Sequence, residues 1–321
     1  MNAASDVNRY ALRIACESFI KPDRETRRCG PPPVNPDAAE IQEKISKSFL
    51  RSRSLHTRIL QNINKQSSYS RKEVEMKELL QVNDLCKKNI LRNINFSVGE
   101  GEMVAIMGPS DSGKSTLLYN VSGMDQPDSG EVWLDGTETV RLSEDDKARL
   151  RLNKMGFVFQ QMNMLANLNI LDNILLPSVH ADKSRAFQTK QKEKALQLMA
   201  QFGISALTDR RINEVSGGQL QRACICRSMM LSPRILFADE PTGALNQTAS
   251  GEVLRAFQRI NDAGTTILMV THDSRVAAKC RRILYILDGE IRGELLLEAY
   301  SEDEDTSRQQ KTTDWLKMMG W

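Results

Sequence analysis

In the stretch MVAIMGPSDSGKSTLL, residues 103–118, an unbroken apolar run gives way to a glycine-bracketed loop and then to a leucine pair. Five consecutive apolar residues, Met103 to Met107, suit a strand buried on both faces. Gly108, Gly113, Lys114 and Ser115 then fit the spacing G-x-x-x-x-G-K-[ST], between a strand and a helix as a phosphate-binding loop requires. The loop from Gly108 through Pro109, Ser110, Asp111, Ser112 and Gly113 to Thr116 is expected to direct backbone N–H groups and a helix N-terminus at an anion. Lys114 is placed to reach β- and γ-phosphates, and the Ser115 hydroxyl to bind Mg²⁺, a hard cation that favours oxygen.

Asp111 is out of keeping with this, because it puts an anion in the middle of an anion site. Asp tolerates left-handed backbone angles, so the loop can keep its shape. Its charge, at about 6 Å from a phosphate and an effective dielectric of 20–40, costs about 1–3 kcal/mol per phosphate charge. Mg²⁺, Lys114 and an outward side chain each offset part of that.

Downstream and upstream of the loop, apolar runs alternate with charged, helix-patterned segments. Short strands are expected at 78–82, 94–98 and 131–134, and buried ones at 235–238, 266–270 and 283–287. Residues 143–154 and 183–202 read as helices. Alternation of this kind predicts an α/β protein with a parallel sheet covered by helices, and a more helical subdomain over about 161–230. In RILFADEP (234–241), an apolar strand ends in two acids. Asp239 can hold the hydration shell of Mg²⁺, and Glu240 can polarise an attacking water.

A third motif narrows the choice. The sequence VSGGQ at 215–219 resembles the LSGGQ signature of ATP-binding-cassette (ABC) ATPases, with Val215 for the usual Leu. It lies 23 residues before Asp239, as that family expects. Gln160, 46 residues after Lys114, is similar to the family's Q-loop glutamine, and His272 in VTHD (270–273), 32 residues after Glu240, to its switch histidine. The resemblance covers roughly residues 76–295. It implies a P-loop NTPase core with a parallel or mixed sheet flanked by helices, an antiparallel β subdomain and an α-helical signature subdomain. It also implies ATP as ligand, with Mg²⁺ at Ser115, Gln160 and Asp239, and catalytic roles for Glu240, His272 and Gln160. Two copies of such a chain pack head to tail, so Ser216, Gly217, Gly218 and Gln219 complete the partner copy's site, near a D-loop residue that is here Asn246.

Within the family, the segment SGGQLQRACICRSMMLSPRILFADEPTGALN is similar to the lipoprotein-release and macrolide-efflux branch, whose permease partners are FtsX-like. GALN (243–246) and the ending WLKMMGW (315–321) resemble the bacitracin-type transporters that export or release antimicrobial peptides. The alternatives are a low-turnover nucleotide-binding partner, a lipoprotein-release or macrolide-efflux ATPase, and an ABC ATPase acting on DNA or ribosomes. The last suits poorly a chain with one signature and no sustained heptads. Three positions depart from the family: Asp111 for Gly, Asn246 for Asp, and residues 85–90, which lack the aromatic on which adenine stacks. Losing one stacked base contact weakens binding by about 1–3 kcal/mol.

The bulk numbers agree. With 44 Lys and Arg against 41 Asp and Glu, the net charge of +3 gives no reason to expect a nucleic-acid partner. Residues 1–75 carry 14 basic and 9 acidic side chains, break at CGPPPVNPD, and could form a basic helix over Ile41–Asn64. They are expected to be a flexible extension. Residues 296–321 are expected to be an acidic linker and a short amphipathic helix. Cys16, Cys29, Cys86, Cys224, Cys226 and Cys280 form no metal-binding spacing and suit reduced thiols. No bilayer-spanning run or signal peptide is evident. The resemblance therefore implies a cytoplasmic protein held peripherally at the inner face of the membrane by its permease.

Overall fold

A computed structural model describes residues 77–321. The extension over 1–75 and the helix expected over 41–64 lie outside the described residues. Strands β1 (Glu78–Lys87) and β2 (Leu91–Gly99) form an antiparallel hairpin, and β4 (Ser129–Leu134) with the two-residue β5 (Thr137–Glu138) extends it to a sheet of order β2-β1-β4-β5. A second sheet has the order β10-β9-β3-β8-β7-β6. In it β3 (Met103–Met107), β6 (Met155–Val158), β7 (Ile235–Asp239), β8 (Thr266–Val270) and β9 (Arg282–Leu287) run parallel, and β10 (Glu290–Leu296) returns antiparallel along the edge.

Burial follows strand type. β2 alternates buried and open positions, as a half-covered antiparallel strand does, whereas β3, β7 and β8 are buried throughout. The two-residue period of a strand divides β3 between two cores. Met103, Ala105 and Met107 face one cluster with Met269, Phe257 and Ile174; Val104 and Ile106 face another with Leu80, Leu117 and Phe237. The second cluster welds the antiparallel sheet to the mixed one.

Eight helices are described: α1 (Lys114–Val121), α2 (Glu144–Lys154), α3 (Ile170–Ala181), α4 (Arg185–Gln201), α5 (Gly217–Ser228), α6 (Gln247–Asp262), α7 (Ser274–Ala277) and α8 (Asp305–Met318). Helices α3, α4 and α5 pack on one another and form the helical region expected over 161–230. Helix starts carry the chemistry their orphan N–H groups need: Ser143 caps α2 and Asn169 caps α3 through side-chain oxygens. Of the amphipathic ending read at 315–321, residues 315–318 close a longer helix that begins at Asp305, and the last three residues lie beyond it. β1 runs to Lys87, so half of the aromatic-free segment 85–90 is strand and only residues 88–90 form a turn.

The loop between β6 and α3 is held from within by Asn173, which is fully buried. Its amide nitrogen donates to the carbonyls of Leu165 at 3.0 Å and Asn169 at 2.9 Å, and its oxygen accepts from the Leu165 N–H at 2.7 Å. Asn173→Ala leaves the buried Leu165 N–H without a partner, whereas the Leu165 and Asn169 carbonyls keep the N–H groups of Leu168 and residue 173. The expected cost is about 1–3 kcal/mol, read as a lower urea midpoint at unchanged denaturant slope.

Candidate active site

The phosphate loop leaves the carboxyl end of β3 and turns within six residues into α1. Gly108 has no alternative there, because a Cβ would collide with the Ile286 carbonyl and lie 2.7 Å from Ser112 Oγ. Asp111 and Gly113 take left-handed angles, with φ of 63° and 97°. The Ser112 N–H donates to the Pro109 carbonyl at 3.3 Å. No side chain caps α1, so its first-turn N–H groups are open to an external anion. Ser112 Oγ is buried without a protein partner, and Lys114 donates to one neutral acceptor, the Pro109 carbonyl, at 2.6 Å. An orphaned hydroxyl, a lysine on a single carbonyl and an uncapped helix are the donor set a polyphosphate needs. Burial pushes the Lys114 ammonium below its usual value, against the pull of Glu240, Asp111 and Asp239. Asp111 is itself exposed.

Asp239 ends β7 beside this loop. Ser115 Oγ donates to its Oδ1 at 2.9 Å, and Tyr119 OH donates to its Oδ2 at 2.8 Å. Tyr119 is absent from the residues the sequence pointed to. Its signal was there: it stands four residues after Ser115, on the same face of α1. Burial first, and then its bond to Asp239, push the phenol up to about 12, so it remains a donor at neutral pH. Among the described residues no cluster of three His, Cys, Asp or Glu could chelate a metal. Ser115 and Asp239 fit a divalent cation that takes its other ligands from water and phosphate, as Mg²⁺ does.

Glu240 follows with φ of 44°, a left-handed angle that turns its side chain out of the strand line. His272 Nδ1 lies 3.2 Å from Glu240 Oε1. Gly243 closes the same corner: a Cβ there would stand 3.2 Å from Glu240 Oε2 and 3.3 Å from Gln160 Nε2. Gln160, Glu240 and His272, far apart in sequence, thus share one cleft at the carboxyl ends of parallel strands, the usual ligand edge of such sheets.

The signature residues stand elsewhere. Ser216 caps α5 by accepting from the Gln219 N–H at 3.3 Å, and the Ser216 N–H donates back to Gln219 Oε1 at 2.9 Å. Gly218 lets α5 approach α6, since a Cβ there would stand 2.7 Å from the Ala249 methyl. Asn246 caps α6 by accepting from the Ala249 N–H at 2.9 Å, a role Asp fills equally. Among the described residues no hydrogen bond or ion pair joins 216–219 to 108–116. The 88–90 turn brings Ile90, 40% exposed, against Gly113, with Ile90 Cγ2 3.3 Å from where a Cβ would be. An aliphatic side chain of the aromatic-free segment 85–90 therefore borders the phosphate loop.

The sequence pattern of the ABC transporter family matches residues 91–243. The chain is 41% identical over 231 residues to the ABC transporter ATP-binding protein YxdL of Bacillus subtilis, covering 72% of this chain and 87% of that one. It is 37% identical over 232 residues to the macrolide export ATP-binding/permease protein MacB of Bdellovibrio bacteriovorus, covering 71% of this chain and 35% of that one. It therefore spans about a third of the length of the macrolide-export relatives it matches. Among solved structures, the dimeric post-hydrolysis state of the ATP-binding cassette MJ0796 bound to ADP and Pi superposes with a TM-score of 0.62. That match is 34% identical and covers 69% of this chain and 100% of that one.

The grip of Tyr119 on Asp239 generates a test. Tyr119→Phe is expected to raise the Mg²⁺ concentration needed for half-maximal binding of a fluorescent ATP analogue by about tenfold, the scale of an outer-shell partner. Binding in EDTA should not change. An unaltered Mg²⁺ requirement removes Tyr119 from the cation site.

Proposed function

This chain belongs to the ATP-binding proteins of ABC transporters, and from its site we propose that it hydrolyses ATP as the subunit whose ATP cycle drives an FtsX-like permease. The observation that carries the chemistry is the pairing of Glu240 with His272 at 3.2 Å, beside the Ser115–Asp239 bond. In this reading the phosphate loop binds the triphosphate, with Lys114 leaving the Pro109 carbonyl for the β- and γ-phosphates. Ser115 and Asp239 hold Mg²⁺, which when bound neutralises charge developing on the phosphates. Glu240 orients and deprotonates the attacking water. His272, on the same carboxylate, donates to the γ-phosphate, and Gln160 joins them from the third side of the cleft.

The signature has no bond to its own phosphate loop, which supports completion of each site by a second copy through Ser216, Gly217, Gly218 and Gln219. Among the described residues no helix is long and apolar enough to cross a membrane. The proposal assigns the membrane path to the permease and this chain to its cytoplasmic face, with no nucleic-acid partner. For the cargo we favour antimicrobial peptides, exported or released at the cell envelope. GALN (243–246) and the WLKMMGW ending support this. Macrolide efflux is the second reading, favoured by the macrolide-export relatives.

Glu240→Gln is expected to lower the hydrolysis rate by about 10²–10⁴-fold, the range for a general base, while ATP binding persists; hydrolysis at the parental rate excludes Glu240 as the base. Asp111 is exposed but still acts on Lys114, so part of its charge reaches the loop. Asp111→Gly should therefore tighten ATP binding several-fold in an equilibrium titration. An unchanged dissociation constant means that solvent screens the carboxylate completely.

A further inference from the structure

We propose that Arg308, on the C-terminal helix α8, is a positioning residue for His272, so that the tail of the chain sets the rate of ATP cleavage. The proposal rests on the reading of His272 given above. His272 is 58% exposed, and among the described residues its one polar side-chain contact is with Glu240, at 3.2 Å. An exposed side chain of this kind is placed by the backbone beneath it. That backbone leads into α7, a helix of four residues, too short to hold itself in water. What pins its two ends therefore fixes where the imidazole stands.

The amino end of α7 is pinned locally. The Asp273 N–H donates to Thr271 Oγ1 at 3.0 Å, and the Asp273 carboxylate accepts from the Arg275 N–H at 2.8 Å. The carboxyl end is pinned from the tail. Arg308 Nε donates to the Ala278 carbonyl at 2.9 Å and Nη2 to the Cys280 carbonyl at 2.9 Å, while Nη1 donates to the Glu298 carbonyl at 2.6 Å. Arg308 is 5% exposed and makes no ion pair among the described residues. A guanidinium buried on three carbonyls and 5.5 Å from the centre of the Tyr300 ring, with no carboxylate partner among the described residues, is a costly choice, since an apolar side chain could fill the space without burying charge. What the guanidinium supplies, and an apolar group cannot, is a rigid fork that ties two chain segments to the end of α7, where positive charge also suits the helix dipole.

A second tie lies beside it. Lys279 Nζ donates to Tyr300 OH at 2.7 Å and to Asp305 Oδ1 at 3.0 Å, and sits 4.5 Å from the centre of the Tyr300 ring. The far end of α8 is anchored to the sheet. Leu316 is buried, Trp315 meets Tyr285 edge to face with centroids 6.2 Å apart, and Met319 packs over Gly293, where a Cβ would stand 2.6 Å from its Cε. The tail is thus a strut fixed to β9 and β10 at one end and to the base of the switch segment at the other.

The test compares substitutions in the full-length chain by steady-state ATP hydrolysis, equilibrium binding of a fluorescent ATP analogue and thermal melting. Arg308→Met removes the whole fork and puts the fold of the tail at risk, so Arg308→Lys and the rim pair Tyr300→Phe with Asp305→Asn accompany it. We expect kcat to fall about tenfold or more in Arg308→Lys, the scale of a displaced catalytic group. Nucleotide affinity should stay within about twofold, with a smaller fall in kcat for the rim pair. In a His272→Ala background, Arg308→Lys should slow hydrolysis no further, because the group it positions is already gone. A slow His272→Ala with a normal Arg308→Lys overturns the proposal alone. So does a loss from Arg308→Lys that persists undiminished without His272, which marks a purely structural role. A normal rate in His272→Ala overturns the reading of the histidine and the proposal with it.

Discussion

The parallel register of β3, β8 and β7 is the constraint on which the site depends. Ile106 stands opposite Val270, and Val270 opposite Asp239. The pairing continues past the strand ends, where the Thr271 N–H donates to the Ile106 carbonyl and the Glu240 N–H to the Val270 carbonyl. Three segments spread over more than 160 residues of sequence therefore emerge on one edge at one height: the loop from Gly108, the acids Asp239 and Glu240, and the histidine His272. A slip of one residue in β7 would reverse every side chain and turn Asp239 away from Ser115. Because both faces of these strands are buried, such a slip is strongly disfavoured, and the accuracy of the site is inherited from the hydrophobic core.

That dependence explains what could be read from the sequence. Strands buried on both faces leave unbroken apolar runs, so MVAIM, ILFAD and TILMV were visible, and the polar residues that end them marked the ligand edge. The spacing of Lys114, Gln160, Ser216, Glu240 and His272 carried the rest. Features that depend on pairing partners were hidden. β6 is short and was read only for the glutamine that follows it. β10 is an edge strand in which charges alternate with apolar residues, and only its register with β9 gives it meaning. Arg308 bonds to carbonyls 10 to 30 positions away, which no local pattern records, and the bond of Tyr119 to Asp239, 120 positions away, is hinted at only by its spacing from Ser115.

The departures from the family pattern are tolerated for different physical reasons. Asn246 spends its side chain on the Ala249 N–H, a bond for which an amide oxygen serves as well as a carboxylate. Asp111 occupies a left-handed position that Asp accepts more readily than most side chains, and it points into solvent, so geometry survives and only charge is altered. The aromatic-free turn changes more, because β1 and β2 close over three residues and deliver Ile90 to the loop. A nucleobase proposed to sit there would meet aliphatic surface rather than a ring, which would leave more of the affinity to the triphosphate contacts.

The charged groups proposed to make those contacts rest on interim partners. Lys114 rests on the Pro109 carbonyl, Asp239 on two hydroxyls and Glu240 on an imidazole. Each charge is held in place by a partner weaker than the phosphate or cation proposed to meet it. Exchange of those partners on binding would set the groups before charge develops, and such preset groups are where most electrostatic catalysis arises. His272 differs from the rest, since its exposure means that neither packing nor a buried bond fixes its ring. Its accuracy must come from the chain beneath it, and that chain is tied through α7 to a helix at the far end of the sequence.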